Sequence, residues 1–182
     1  MNKVFKLDEA SLGRVYQHVT GKNGTKSWGM ITAYRGVNSK KENIALNKKL
    51  QRDIRSENLG YFEVEGHWRE CQDPNIDYKD CPDSKLKDSI EVTLFVPGVS
   101  KNTILSLCKK YDQDAVVYSG SDTEGKVFLI FKNGGSTTIG SKFEPNKVAQ
   151  AYSVVKNRSF LFREAMNESN KLKLTYILSK LK

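Results

Sequence analysis

Histidine occurs only twice in the 182 residues, at His18 and His67, which excludes chemistries built on several imidazoles. His18-Val-Thr20 has the H-x-T form that paired-histidine phosphoesterases use twice, but His67 is followed by Trp68 and Arg69. One triplet cannot supply both the general base and the general acid. A G-x-S-x-G elbow, a paired-histidine zinc motif and a glycine-rich dinucleotide loop are all missing. Cysteine is scarce, and its count of three is odd, which suits a reducing compartment better than secretion. Long apolar runs are missing too: nowhere do enough apolar residues adjoin to span a bilayer, and the N-terminus MNKVFKLDEASLGRV has no signal-peptide core. The expectation is a soluble, cytoplasmic protein with no membrane partner and no cofactor, non-enzymatic for want of recognisable machinery.

Metal ligands are thin as well. His67, Cys71 and Cys81 fit no standard zinc spacing and have no obvious fourth ligand. They are expected to bind no metal, the two cysteines being loose, solvated thiols. Asp73, Asp77, Asp80 and Asp83 in the same stretch lack the central Gly and terminal Glu of a calcium loop. The segment GKNGTKS, from Gly21 to Ser27, superficially resembles a phosphate-binding loop. Thr25 rather than Gly precedes Lys26, however, and the order is helix, loop, strand.

What the chain has in plenty is positive charge, +9 net, unevenly placed. Residues 61–90 carry four basic against eight acidic side chains, whereas 132–182 carry ten against three. A basic tail of this kind attracts nucleic acid or an acidic partner, or else forms a solvated lysine-rich surface. In the nucleic-acid reading Lys142, Lys147, Lys156, Arg158, Arg163, Lys171 and Lys173 are the phosphate contacts.

Periodicity divides the chain into elements. Leu12, Val15, Tyr16 and Val19 recur at helical spacing after Asp8 and Glu9. SWGMITAYR, Ser27 to Arg35, reads as a first, central strand, and Ser39 with Glu42 forms a capping box for a helix running to about Ser56. Tyr61–Trp68 and Ser89–Pro97 alternate as strands, the second with Ile90, Val92, Leu94 and Val96 on one face and Glu91, Thr93 and Phe95 on the other. The polar stretch Cys71–Asp88 between them is a long hairpin loop. Ser100 caps a helix with Ile104, Leu107, Cys108 and Tyr111 inward, making Cys108 a small core hydrophobe. Asp114–Ser119 and Lys126–Phe131 follow as strands. NGGSTTIGS is then a flexible connection and Pro145 opens a helix with Val148, Ala151, Tyr152 and Val155 inward. Ser159–Arg163 is a short strand candidate, and Leu174, Ile177, Leu178 and Leu181 stripe a final basic helix.

The fold class expected is α+β, a ferredoxin-like split βαββαβ core with an extra strand, an N-terminal helix and a C-terminal helical extension. Its parts are residues 1–27, helix and linker; 28–131, the core; and 132–182, the basic extension. Five polar side chains are candidate ligand positions: Tyr34 and Arg35 end the first strand, Asn43 lies in the first turn of the following helix, Glu91 opens the third strand and Gln113 precedes the fourth. Arg35, Asn43 and Gln113 are expected to meet, either as a ligand site or as a network satisfying loop amides.

ITAYR, Glu42-Asn43, GYFEVEGHW, EVTLFVPG and YDQDAVVYS, in order over about residues 28–131, resemble a family of small bacterial and phage proteins classed as a domain of unknown function. The resemblance implies a fold and a phage or bacterial context, in host cytoplasm or virion, and no reaction. The resulting expectation is a small basic accessory protein that binds nucleic acid or a host macromolecule. The alternatives are an enzyme or binder of a nucleotide-like small molecule at Arg35, Asn43 and Gln113, and a virion-associated structural subunit.

Overall fold

The computed structural model describes residues 12–73, 76, 80–146, 151–155 and 157–163. They form, in chain order, α1 (Leu12–Val19), β1 (Ser27–Ile31), α2 (Lys40–Ser56), β2 (Phe62–Cys71), β3 (Leu86–Pro97), α3 (Lys101–Lys110), β4 (Ala115–Gly120), β5 (Val127–Phe131), β6 (Ser136–Gly140), β7 (Lys142–Pro145), β8 (Ala151–Val155) and β9 (Arg158–Arg163). The strands make one antiparallel sheet in the order β6-β5-β4-β1-β3-β2-β8-β9-β7. It curls enough for β6 to approach β9. The architecture is therefore mixed α and β. Among the described residues no helix is long and apolar enough to cross a membrane.

Each face of the sheet has its own core. On one, Leu50 and Ile54 of α2 and Ile104, Leu107 and Cys108 of α3 close over Ile31, Leu94, Val96 and Val116. The capping box begins α2 as its residues require: Ser39 Oγ accepts from the Glu42 N–H, and the Ser39 N–H donates to Glu42 Oε2 at 2.7 Å. α3 lies so close to β1 that a Cβ on Gly29 would collide with Ile104 Cδ1 and come within 3.0 Å of the Val117 carbonyl oxygen. Glycine is required there for contact rather than for conformation. On the opposite face, α1 sets Leu12 and Val15 against Trp28, Met30, Phe62, Val64, Phe95, Val155 and Phe160. The strand alternation explains both faces. Leu94 and Val96 go to the first core and Phe95 to the second, whereas Ile90 is 59% exposed, beyond the first core.

Three expectations for local structure fail. NGGSTTIGS is no loose connection, because Ser136–Gly140 pair with β5 as β6. The helix expected after Pro145 gives way to strands: Pro145 ends β7 opposite Phe160, and Ala151–Val155 pair with both β2 and β9. Pro145 is tolerated because β7 is an edge strand, where the missing N–H leaves no ladder partner wanting. The helical spacing of Val148, Ala151, Tyr152 and Val155 loses to the period of two that buries Val155. Residues 147–150 and the expected helix at 174–181 lie outside the described residues. The strand candidate at Ser159–Arg163 is present as β9.

The third failure concerns the thiols. Cys71 and Cys81 form a disulfide, and Cys81 is buried rather than solvated. Bonded to each other, they are not available as metal ligands, and among the described residues no group of acidic, His and Cys side chains could hold a metal ion. The cross-link closes the tip of the β2–β3 hairpin, whose pairing runs to Cys71 opposite Leu86. Its closed loop is short, so reduction is expected to lower stability by about 2–3 kcal/mol. Urea midpoints with and without dithiothreitol measure this, and identical midpoints would contradict it.

Candidate active site

The candidate polar residues separate into a network and one isolated carboxyl. Asn43, buried in the first turn of α2, accepts from the Arg35 N–H at 2.9 Å and donates to the Arg35 carbonyl at 3.0 Å. Gln113 donates to the carbonyls of Tyr34 and Tyr111, both at 3.2 Å. The Arg35 guanidinium binds Asp112, through its backbone carbonyl and at 2.6 Å through its carboxylate. Lys132 holds the other carboxylate oxygen at 2.5 Å, and the two cations push the Asp112 carboxyl down to about 2. Asn43 and Gln113 thus both bond the Tyr34–Arg35 backbone, while the Arg35 side chain turns to Asp112. Their hydrogen-bonding groups tie the segment after β1 to α2 and to the turn before β4. Tyr34 contributes backbone to this network: its carbonyl receives Gln113, and its N–H donates to Thr32 Oγ1.

Glu91 stands apart from that network, on the other face of β3. It belongs to the alternation that also aims Thr93 and Phe95 toward the second core. Its partner across the β2–β3 ladder is Gly66, and Gly66 pairs in turn with Ser153 of β8. A Cβ on Gly66 would lie 2.7 Å from Thr93 Oγ1 and 3.5 Å from Glu91 Cγ, so the glycine leaves the space those side chains occupy. Burial pushes the Glu91 carboxyl up to about 7. Among the described residues no cation or hydrogen-bond donor relieves it. Among the described residues this carboxyl has no counter-ion, and its desolvation is the kind of cost a binding site carries.

The backbone beside Glu91 is held firmly. The Val92 carbonyl accepts from Thr32 Oγ1 at 2.9 Å and from Asn47 Nδ2 at 3.2 Å, and Asn47 Oδ1 accepts from the Ala33 N–H. Asn47 and Thr32 therefore fix β3 where β1 leaves it, one residue from Glu91. The sequence reading missed both, since their partners are backbone groups of distant strands. Asp53 lines a cleft between α2 and α3 and is already satisfied by Lys110 at 2.8 Å and by the Tyr111 hydroxyl.

Of the basic side chains assigned to nucleic acid, Lys142, Arg158 and Arg163 lie on β7 and β9. Exposed Arg158 donates to Asn146 Oδ1 at 3.4 Å. Lys147, Lys156, Lys171 and Lys173 lie outside the described residues.

Residues 29–163 match the family model described as the S-Adenosylmethionine lyase family. No curated protein matches the chain. The match covers most of the chain and overturns three expectations: resemblance to a family of unknown function, a non-enzymatic protein, and an accessory protein acting by binding nucleic acid. A named enzyme family stands in their place.

Proposed function

Because the chain belongs to the S-adenosylmethionine lyase family, we propose that it cleaves the carbon–sulfur bond of S-adenosylmethionine without water, with Glu91 receiving the substrate's α-ammonium group. The observation that carries the assignment of the site is the Glu91 carboxyl, held near 7 by burial and lacking a cationic partner among the described residues. A cation placed beside such a group favours its ionised form, so binding and deprotonation of Glu91 are coupled.

The substrate brings its own machinery. Its sulfonium sulfur leaves as a neutral thioether, and its α-carboxylate is a nucleophile within reach of Cγ. Closing that five-membered ring forms a C–O bond and breaks the C–S bond, the electron pair going to sulfur. The products are homoserine lactone and 5′-methylthioadenosine, and the balance requires no nucleophile, oxidant or water. Such a reaction needs the protein chiefly to hold the carboxylate and Cγ in line, a proximity effect.

Charge decides which cation Glu91 meets. A carboxylate against the sulfonium would stabilise the ground state more than a transition state in which that charge is dispersing, and would slow the reaction. Against the ammonium, whose charge does not change, it anchors the amino-acid end and leaves the sulfonium reactive. Incubation of the protein with S-adenosylmethionine, followed by chromatography, tests the reading: the thioether and the lactone appear together, or the reading fails. The finer description of the core as a ferredoxin-like split βαββαβ unit is supported by the β4-β1-β3-β2 order with α2 and α3 on one face.

A further inference from the structure

At the other end of the second core, where α1 runs into the glycine loop, there is a cleft of about 200 Å³. His18, Thr25 and Lys26 line one side and Ser119, Gly120 and Ser121 the other. Drug-sized pockets run to about 300–1,000 Å³, so this one suits a compact group rather than a nucleoside.

Its polar lining is arranged to donate. Ser119, on β4 opposite Trp28, is only 5% exposed, and among the described residues its hydroxyl has no hydrogen-bond partner. Its oxygen opens to the cleft, so its proton is free to meet a polar ligand there. The His18 ring is fixed by Asn23 Nδ2 and Thr25 Oγ1, each 2.8 Å from Nδ1. Asn23 Oδ1 accepts from the Thr25 N–H, so the amide presents its N–H to His18, and this network assigns the ring proton to Nε2. Burial and the nearby Arg14 hold the imidazole below its ordinary pKa, leaving the fixed positive charge to Lys26. Within the described residues no carboxylate pairs with Lys26. Lys22, over the Tyr16 ring at 4.9 Å, adds to the positive field. The carboxylate on the following turn, Asp122, accepts from the Tyr118 hydroxyl at 2.9 Å.

We propose that this cleft binds a compact oxyanion, phosphate or the phosphoryl group of a small phosphomonoester, through the Lys26 ammonium and the hydroxyls of Ser119 and Ser121. It is not a P-loop, since the loop leads into strand β1 and no helix begins there. Nor is it the Glu91 site. Glu91 lies four residues beyond Phe95 on β3, about 13 Å along the strand, and it is Phe95 whose ring meets His18, at 6.1 Å.

Trp28 lines the cleft and reports on it directly once Trp68→Phe has removed the other indole. Fluorescence titration of the full chain with inorganic phosphate is expected to saturate. Lys26→Met and Ser119→Ala should each weaken binding about tenfold, the loss of one hydrogen bond to a charged group. Lys48→Met, on exposed α2 surface, should leave it unchanged. Tighter binding of glycerol phosphate would identify an esterified phosphoryl group, and equal or weaker binding the free ion. A response that does not saturate, or equal affinity in all three variants, would overturn the proposal. So would competition between phosphate and S-adenosylmethionine in turnover, which would put the cleft in the substrate site. The titration needs no turnover, so it fails or succeeds independently of the lyase reading.

Discussion

Replacing Glu91 by glutamine is expected to lower kcat/KM for S-adenosylmethionine about a hundredfold, the scale of losing a buried charge-assisted contact. The loss should fall mainly in KM, because the ammonium carries the same charge in ground and transition states. A fall in kcat with KM unchanged would instead make Glu91 a base for elimination and contradict the assignment. The pH profile carries a second signature. Wild-type kcat/KM should rise as Glu91 ionises near 7 and fall as the substrate's α-amino group loses its proton at about 7.7–8.0. In Glu91→Gln the rising limb should vanish.

The same carboxyl makes a stability statement. Its folded pKa of about 7 lies above the ordinary 4.5, so between those values the native state holds more protons than the unfolded one. Stability therefore falls as pH rises through that window. Glu91→Gln should be more stable than the wild type at pH 8, by about 2–3 kcal/mol, and equal to it at pH 4. Loss of activity with gain of stability is the combination a binding carboxyl predicts and a structural one does not. Urea midpoints at the two pH values supply the comparison.

Phe95→Ala is the change expected to damage the fold most. Phe95 is fully buried on β3, stacked between Trp28 at 5.2 Å and Phe62 at 4.8 Å. Deleting the ring removes its burial, opens a cavity and leaves two aromatic faces without contacts, a loss of about 3–5 kcal/mol. Against the 5–15 kcal/mol (about) typical of whole domains, that is a large fraction. Glu91 is separated from Phe95 by Thr93 and the firmly held Val92, so the folded fraction should keep its KM within a few-fold. A shift below about 1 kcal/mol in the urea midpoint would contradict the stacked arrangement.

Local signals were legible wherever local physics decides. Ser39 and Glu42 form their box because both partners lie within one turn, and β3 sorts Leu94 from Phe95 by alternation alone. Asn43 and Gln113 both bond the Tyr34–Arg35 backbone because the segment after β1 meets α2 and the turn before β4. Signals failed where the deciding partner is remote. Ala151–Val155 has a helical stripe and a strand alternation at once, and only pairing with β2 and β9 selects the second. Cys71 and Cys81 read as separate thiols until β2 and β3 run far enough to bring them together. Glu91 stood out as polar, but its burial depends on the space left by Gly66 on another strand, which no spacing reveals. The enzyme family was missed for a chemical reason: in the proposed reaction the substrate supplies its own leaving group and nucleophile, which asks for none of the motifs that announce a hydrolase or transferase.

Turnover of S-adenosylmethionine in water enriched with oxygen-18 tests the lyase mechanism most directly. The four-carbon product is examined by mass spectrometry, with attention to the oxygen on Cγ. Ring closure by the substrate's carboxylate predicts unlabelled oxygen there, even after the lactone opens, because water then attacks the acyl carbon. Label on the Cγ oxygen would mean that water displaced the sulfur, making the protein a hydrolase and contradicting the account.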